Sequence, residues 1–256
     1  MLAKAAELQA DEVVVDLEDG VAAVDKVAAR GNLAAAKALG TLAVRINGIA
    51  TEWWEADLAA ATPADVIVVP KVESVDDVRR VAERVAQDVG LEVQIETARG
   101  LVEVERIAAF GPPLEALVFG PGDFAASLGV PVLTIGTDRI RHGAMTASYY
   151  AMARVAVAAR AYGLQPIDGP YAALDEGDGL RRMAAAALAL GYDGKWVIHP
   201  SQIDPVNEVF TPSETELERA RGILATADGA SRVSGEMVDA ATKRLAEAVL
   251  ARASAP

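Results

Sequence analysis

Short runs of β-branched and other apolar residues alternate along the chain with longer stretches whose apolar positions recur every three or four residues. The first pattern belongs to buried strands and the second to amphipathic helices. Seven runs read as strands: EVVVDLE (12–18), LAVRIN (42–47), DVIVVPK (65–71), LEVQIET (91–97), ALVFGP (116–121), LQPIDG (164–169) and KWVIHP (195–200). Helical spacing separates them, as in ESVDDVRRVAERVAQDVG. Such alternation predicts a parallel sheet joined by right-handed crossovers.

Several strands are apolar where they begin and polar where they end: VVVDLED, LAVRIN, LEVQIET, LVFGPGD. In a (β/α)8 barrel the C-terminal strand ends build the active-site face. An open doubly wound sheet would gather its polar ends at one switch point instead. Nearly every strand here contributes one, so the predicted fold is α/β, a TIM (β/α)8 barrel. A barrel needs eight strands and seven are visible behind an opening helical stretch, MLAKAAELQ, so the N-terminal strand is expected to be missing from this sequence.

After IHPSQI the pattern changes. Ser213 and Glu216 form a capping box that opens a helix, PSETELERARGIL. The Gly/Ser-rich stretch ADGASRVSGE (227–236) reads as a flexible connection to a last helix, MVDAATKRLAEAVLARA. The expected organisation is a catalytic barrel over 1–205 and a C-terminal helical extension over 206–256, too short for a core of its own.

The 256 residues carry 24 Lys+Arg against 37 Asp+Glu, a net charge of −13. That excess argues against nucleic acid and membrane surfaces as partners, since both are polyanions. It leaves room for a small anionic substrate in a local basic pocket. With no cysteine there is no disulfide, thiolate metal site or cysteine nucleophile. No apolar run approaches the ~18 residues of a membrane span, and MLAKAAELQADE turns acidic too early for a secretory signal. A cytoplasmic protein is expected.

Charge patterning then raises a question. VVVDLEDGV packs Asp16, Glu18 and Asp19 into four positions behind three valines. Like charges so close resist ionisation, so either solvent or a positive object relieves them. Glu96 in IETARG and Asp123 in GPGDFAASLG are lone carboxylates at strand ends, followed by small residues. Each either caps the next helix or serves as an oxygen ligand to Mg²⁺, which takes one or two carboxylates plus water and substrate. Arg45 in VRING suits a structural ion pair, or a fork gripping a carboxylate or enolate oxygen. Lys26 and Arg30 lie four apart on one helix face, as solvated charge or as a phosphate-binding pair for a cofactor. Two histidines, His142 and His199, are too few for a His-based metal site. Trp53 and Trp54 read as loop packing.

Taken in order, VVVDLEDGV…DK…AR, VRING, VPKVES, IETARG, FGPGDFAASLG, PIDGPY, GYDGKWVIHPSQI and MVD resemble the citrate lyase beta-subunit-like family of CoA ester lyases. Malyl-, citramalyl- and citryl-CoA lyases belong to it. The resemblance implies a homotrimeric TIM barrel and Mg²⁺-dependent (or Mn²⁺-dependent) carbon–carbon cleavage beside a CoA thioester, between an acyl-CoA and a 2-oxo acid. It implies Glu96 and Asp123 as metal ligands, with substrate contacts at Arg45, Glu96 and Gly122. Asp16, Glu18 and Asp19 would hold the water around the metal, and Lys26 and Arg30 would meet CoA. Asp239, in the C-terminal segment, would be a catalytic acid/base delivered to a neighbouring subunit. One departure stands out: the family's opening strand, with its R-S-x-L-x-x-P type motif, is absent.

Two other readings compete. CoA-independent hydroxy-oxo-diacid aldolases share the barrel and its metal acids, but place histidine where this chain has Asp19. A non-catalytic subunit of a citrate lyase-like complex is the other, against which the intact set of acids, Arg45 and Asp239 speaks.

Overall fold

The computed structural model describes residues 7–137, 146–226, 229–233 and 235–253. His142 and most of the opening helical stretch lie outside these residues. Seven strands form one sheet: β1 (Glu12–Asp16), β2 (Thr41–Arg45), β3 (Val66–Val69), β4 (Gly90–Ile95), β5 (Leu114–Phe119), β6 (Gln165–Asp168) and β7 (Gly194–Lys195). Their spatial order is their sequence order and every pairing is parallel. No reversal of order interrupts the sheet, which separates it from a doubly wound sheet and fits a TIM-barrel-type curl.

The curl follows from packing. Alternate residues of a strand face the same side, and the inner side gathers Ala43, Val66 and Val68 with Val14 and Trp196 packed against them. Trp196 follows β7 and Val14 belongs to β1, so the two ends of the sheet share one apolar layer. The outer faces are covered by helices, and β3, VIVV, is buried along its whole length. That is the run expected of a parallel strand covered on both sides.

The seventh strand is shorter than its sequence suggests. Trp196 N still donates to Asp168 O at 2.8 Å, but Pro200 then opens a short 3₁₀ turn. The His199 ring accepts from Ser201 N at 3.2 Å and caps that turn, so the stretch KWVIHP yields two ladder residues. His199 thus has a structural task.

A first compact unit ends at Val206 and a second begins at Asn207. The second corrects two expectations. Described residues of the Gly/Ser-rich stretch take regular structure: Ser231–Val233 and Glu236–Val238 pair as an antiparallel hairpin, and Gly235 takes φ +90°, where only glycine is at ease. The unit also has its own small core. The helices Glu214–Leu224 and Ala240–Ala253 close over Ala220, Ile223, Val238 and Ala246. The Ser213–Glu216 capping box is present as expected. Among the described residues no helix is long and apolar enough to cross a membrane.

Candidate active site

The C-terminal ends of β1 to β5 carry the polar side chains. Asp16, the last residue of β1, is paired in register with Arg45, the last of β2. Its carboxylate accepts Arg45 Nε at 2.8 Å and Nη2 at 2.6 Å, and the backbone N–H groups of Glu18 and Gly20 at 2.8 Å each. Burial pushes the Asp16 carboxyl up, but Arg45 and the two N–H donors outweigh it and hold the group below its usual range. A side chain at position 20 would collide with this carboxylate, its Cβ falling 2.6 Å from Oδ2, so the DLEDG turn ends in glycine.

Glu18 faces the same centre from inside the loop and is 5 % exposed. Burial raises its pKa against the pull of Lys71 and Arg45. Lys71 Nζ lies 2.5 Å from Glu18 Oε1, 3.3 Å from Asp19 Oδ2 and 3.7 Å from Asp123 Oδ2. The other Glu18 oxygen, Oε2, lies 3.2 Å from Arg45 Nη1 as an ion pair, yet off the N–H direction, and accepts no hydrogen bond. Part of the answer to the crowding of acids therefore comes from the protein itself. Arg45 serves Asp16, and Lys71 serves Glu18 and Asp19. Sequence reasoning assigned Lys71 no role of its own.

Glu96 follows β4. It does not cap the next helix, because Thr97 Oγ1 does so by accepting Gly100 N at 2.9 Å. Released from capping, the Glu96 carboxylate turns inward, 2 % exposed, and accepts Lys71 N at 2.8 Å. Burial, and then the charges of Glu18 and Asp123, raise its pKa to about 7. It occupies space left by Gly120 at the end of β5, where a Cβ would lie 2.2 Å from Glu96 Oε2. Asp123 stands in the first turn of the helix Pro121–Ser127, which has no side-chain cap, and remains half-exposed. Gly122 beside it faces Ile135, with room for a Cβ only at 3.2 Å.

Lys26 and Arg30 are not solvated surface charge. Lys26 is 5 % exposed, and its ammonium donates to Leu17 O at 2.6 Å and Glu18 O at 2.7 Å, over the Trp53 ring. It pins the acidic loop through its carbonyls. Arg30 Nε donates to Asp57 Oδ1 at 2.6 Å, while Asp57 Oδ2 accepts Asn47 N at 2.9 Å and Nδ2 at 2.6 Å. Asn47 Nδ2 also reaches Leu17 O, so this buried hub ties the β2 loop to the β1 loop. Trp54 is buried beneath Arg80 and Arg84. An open cavity of about 540 Å³ adjoins the acids, lined by Glu18, Asp19, Lys26, Trp53, Lys71 and Arg80 among others.

Two further groups escaped sequence reasoning. Asp168 and Lys195, at the ends of β6 and β7, form a buried pair at 2.5 Å, with Lys195 also donating to Gly169 O. Glu12 and Glu92, at the opposite end of the barrel interior, meet side chain to side chain beside Glu115, and burial pushes both carboxyls up. In the second unit Asp239 caps the last helix, its Oδ1 accepting Ala241 N at 2.9 Å and Thr242 N at 3.0 Å. Those bonds hold its carboxyl below the usual range.

The donor set suits a hard divalent ion. Mg²⁺ takes one or two carboxylates and completes its octahedron with water and substrate oxygens. Among the described residues no group of three or more acid or imidazole side chains converges to hold a metal unaided. Glu96 and Asp123 offer two oxygen ligands from neighbouring strand ends, and the orphaned Glu18 Oε2 offers an acceptor for a metal-bound water. The residues fit the ion.

Comparisons with known proteins agree. The profile of the HpcH/HpaI aldolase/citrate lyase family matches residues 1–200, and that of a C–C bond lyase of the TIM-barrel fold matches 148–255. An L-malyl-CoA/beta-methylmalyl-CoA lyase of Cereibacter sphaeroides is 37 % identical over 284 aligned positions, covering 98 % of this chain and 89 % of the relative. A (3S)-malyl-CoA thioesterase of the same species is 38 % identical, covering 99 % and 90 %. The crystal structure of Mycobacterium tuberculosis CitE in complex with magnesium, acetoacetate and coenzyme A superposes with TM-score 0.85 at 33 % identity, covering 96 % of this chain and 91 % of that one.

Proposed function

The chain belongs to the HpcH/HpaI aldolase/citrate lyase family and is a magnesium-dependent CoA-ester lyase; from that premise we propose that it splits a malyl-type 3-hydroxyacyl-CoA into acetyl-CoA, or a homologue, and a 2-oxo acid. The observation that carries the reading is the convergence of Glu96, Asp123 and the orphaned Glu18 Oε2 around Arg45 and Lys71. In this reading Glu96 and Asp123 hold the metal, Glu18 and Asp19 orient the water around it, and Asp16, whose oxygens are taken up by four donors, acts by fixing Arg45.

Bound magnesium supplies Lewis-acid polarisation of the substrate's hydroxyl oxygen. The chain's own residues do the rest. The fixed guanidinium of Arg45, braced by Asp16 and stacked 5.7 Å from Trp196, faces the acids as a preorganised donor for developing oxyanion charge. Cleavage breaks the C2–C3 bond of the hydroxyacyl chain: the hydroxyl proton passes to water, C3 becomes the oxo carbon as the C2–C3 electron pair moves to C2, and C2 takes up a proton. We assign the C2 proton to Asp239 of a neighbouring subunit in a homotrimer, following the family resemblance: ionised as a helix cap, Asp239 removes it in the condensation direction, and in cleavage the same carboxyl returns to C2 a proton taken up from water. This reading gives CoA the open cavity beside the acids, with Arg80 on its wall, while Lys26 and Arg30 act at one remove, Lys26 through the carbonyls of the β1 loop and Arg30 through Asp57. The working compartment is the cytoplasm.

The test is a product assay with Mg²⁺ against malyl-, β-methylmalyl-, citramalyl- and citryl-CoA. Acetyl- or propionyl-CoA with a 2-oxo acid supports the reading. The thioesterase relative favours a second outcome, release of free CoA and the intact hydroxy acid, which would replace C–C cleavage as the activity.

A further inference from the structure

We propose that Lys71 is a positioning residue that acts as the site's internal counter-ion and competes with the divalent cation for the carboxylates. This inference rests on the magnesium reading above and concerns how the ion is admitted.

Lys71 holds the acids by two different parts of itself. Its backbone N–H donates to Glu96 Oε1 at 2.8 Å. Its ammonium lies 2.5 Å from Glu18, 3.3 Å from Asp19 and 3.7 Å from Asp123. One residue just past the end of β3 thereby joins acids from the segments that follow β1, β4 and β5. The backbone is strained to do so: Lys71 has φ +54°, the single positive φ at a non-glycine among the described residues. Lysine reaches that region only at a cost, and such strain persists where surrounding contacts dictate it.

The charge balance gives the ammonium its purpose. Asp16, Glu18, Asp19, Glu96 and Asp123 are met by two ion-paired cations, Arg45 and Lys71. Arg45 is fixed by its two-pronged grip on Asp16. Lys71 is the cation that can give way, because its side chain is 36 % exposed on a flexible stem and opens on the large cavity. A divalent ion on Glu96 and Asp123 would repel the ammonium across a few ångströms. Lys71 therefore keeps the acids assembled before the ion arrives and weakens the ion's hold once it has.

Calorimetric titration of the purified full chain with magnesium chloride tests this. Lys71→Met should bind Mg²⁺ about tenfold more tightly than wild type, the scale of removing one nearby like charge in a partly wet site. It should also melt at a lower temperature in metal-free buffer and gain more from added Mg²⁺. Lys71→Arg, which keeps the charge, should bind with near wild-type affinity. A scaffold role alone predicts the reverse, weaker binding once the side chain is lost. Should Lys71→Met not fold, Lys71→Gln carries the same expectation of tighter binding. A wild type that binds while the neutral variant binds equally or more weakly overturns this inference alone. A wild type that binds no Mg²⁺ overturns the magnesium reading and this inference with it.

Discussion

Arg45 holds Asp16 by both prongs of its fork, Nε on Oδ1 at 2.8 Å and Nη2 on Oδ2 at 2.6 Å, leaving Nη1 turned toward Glu18 and Gln94. The pairing fixes the guanidinium plane, which a lysine ammonium cannot reproduce. Arg45→Lys should therefore lower kcat about 100-fold, the usual cost of losing a preorganised oxyanion donor. Steady-state kinetics on the best acyl-CoA, with circular dichroism to confirm folding, check this.

Glu96 and Asp123 are expected to carry the metal. Glu96→Gln and Asp123→Asn should each abolish Mg²⁺-dependent turnover and magnesium binding by calorimetry while the chain still folds. Turnover close to wild type at saturating Mg²⁺ would remove that residue from the ligand set.

Asp57 is fully buried and accepts bonds from Arg30, Asn47 N and Asn47 Nδ2. Asp57→Ala strands a partly buried guanidinium and two buried N–H donors, which costs about 3 kcal/mol. A fall of that size in urea denaturation, with the loop after β1 loosened in hydrogen exchange, is the expected result.

Burial raises the pKa of both Glu12 and Glu92 in the fold and Glu115 adds to both; the charge of Glu12 pushes Glu92 up further, while the hydrogen bond from Glu92 pulls Glu12 part of the way back. The folded chain therefore keeps protons that the unfolded chain has lost. The pair's contribution to stability is full below the ordinary glutamate pKa and is lost as pH rises through neutrality. Glu92→Gln removes one of the charges, so its melting temperature should exceed that of wild type at about pH 8.5, with the gap closing as pH falls toward about 4.5. Thermal melts across that range decide the matter.

The proposal that neighbouring subunits share a site makes a separate prediction. Glu96→Ala and Asp239→Asn, each inactive, should regain part of the activity when refolded together, because some sites then combine an intact Glu96 with an intact Asp239. No activity above either parent, in oligomers verified as mixed, would place Asp239 outside the neighbouring site.

The sheet was legible because buried parallel strands write themselves as apolar runs, and their polar ends marked Asp16, Arg45, Glu96 and Asp123. What stayed hidden depends on contacts far apart in sequence. Lys71 ends a strand like many lysines, and only the fold brings Glu18 to it. Lys26 and Arg30 have the spacing of exposed helix charges, but the β1 loop and Asp57 close over them. The alternation in LEVQIET turns Glu92, Gln94 and Glu96 to one side, so a strand that looked ordinary carries charge at both ends of the barrel interior. The hairpin at 231–238 was masked by small residues that read equally as a tether.

Gly120 has an implication for how such sequences diverge. A side chain there would strike not only the Glu96 carboxylate but also the Glu96 Cβ, 2.4 Å away. The Cβ belongs to any residue but glycine, so exchanging the acid would not make room. A descendant that gave up catalysis could replace Glu96 and still be bound to glycine at 120 by the spacing of two paired strands. On the proposed reading position 96 answers to the chemistry, whereas position 120 answers to the close approach of two backbones.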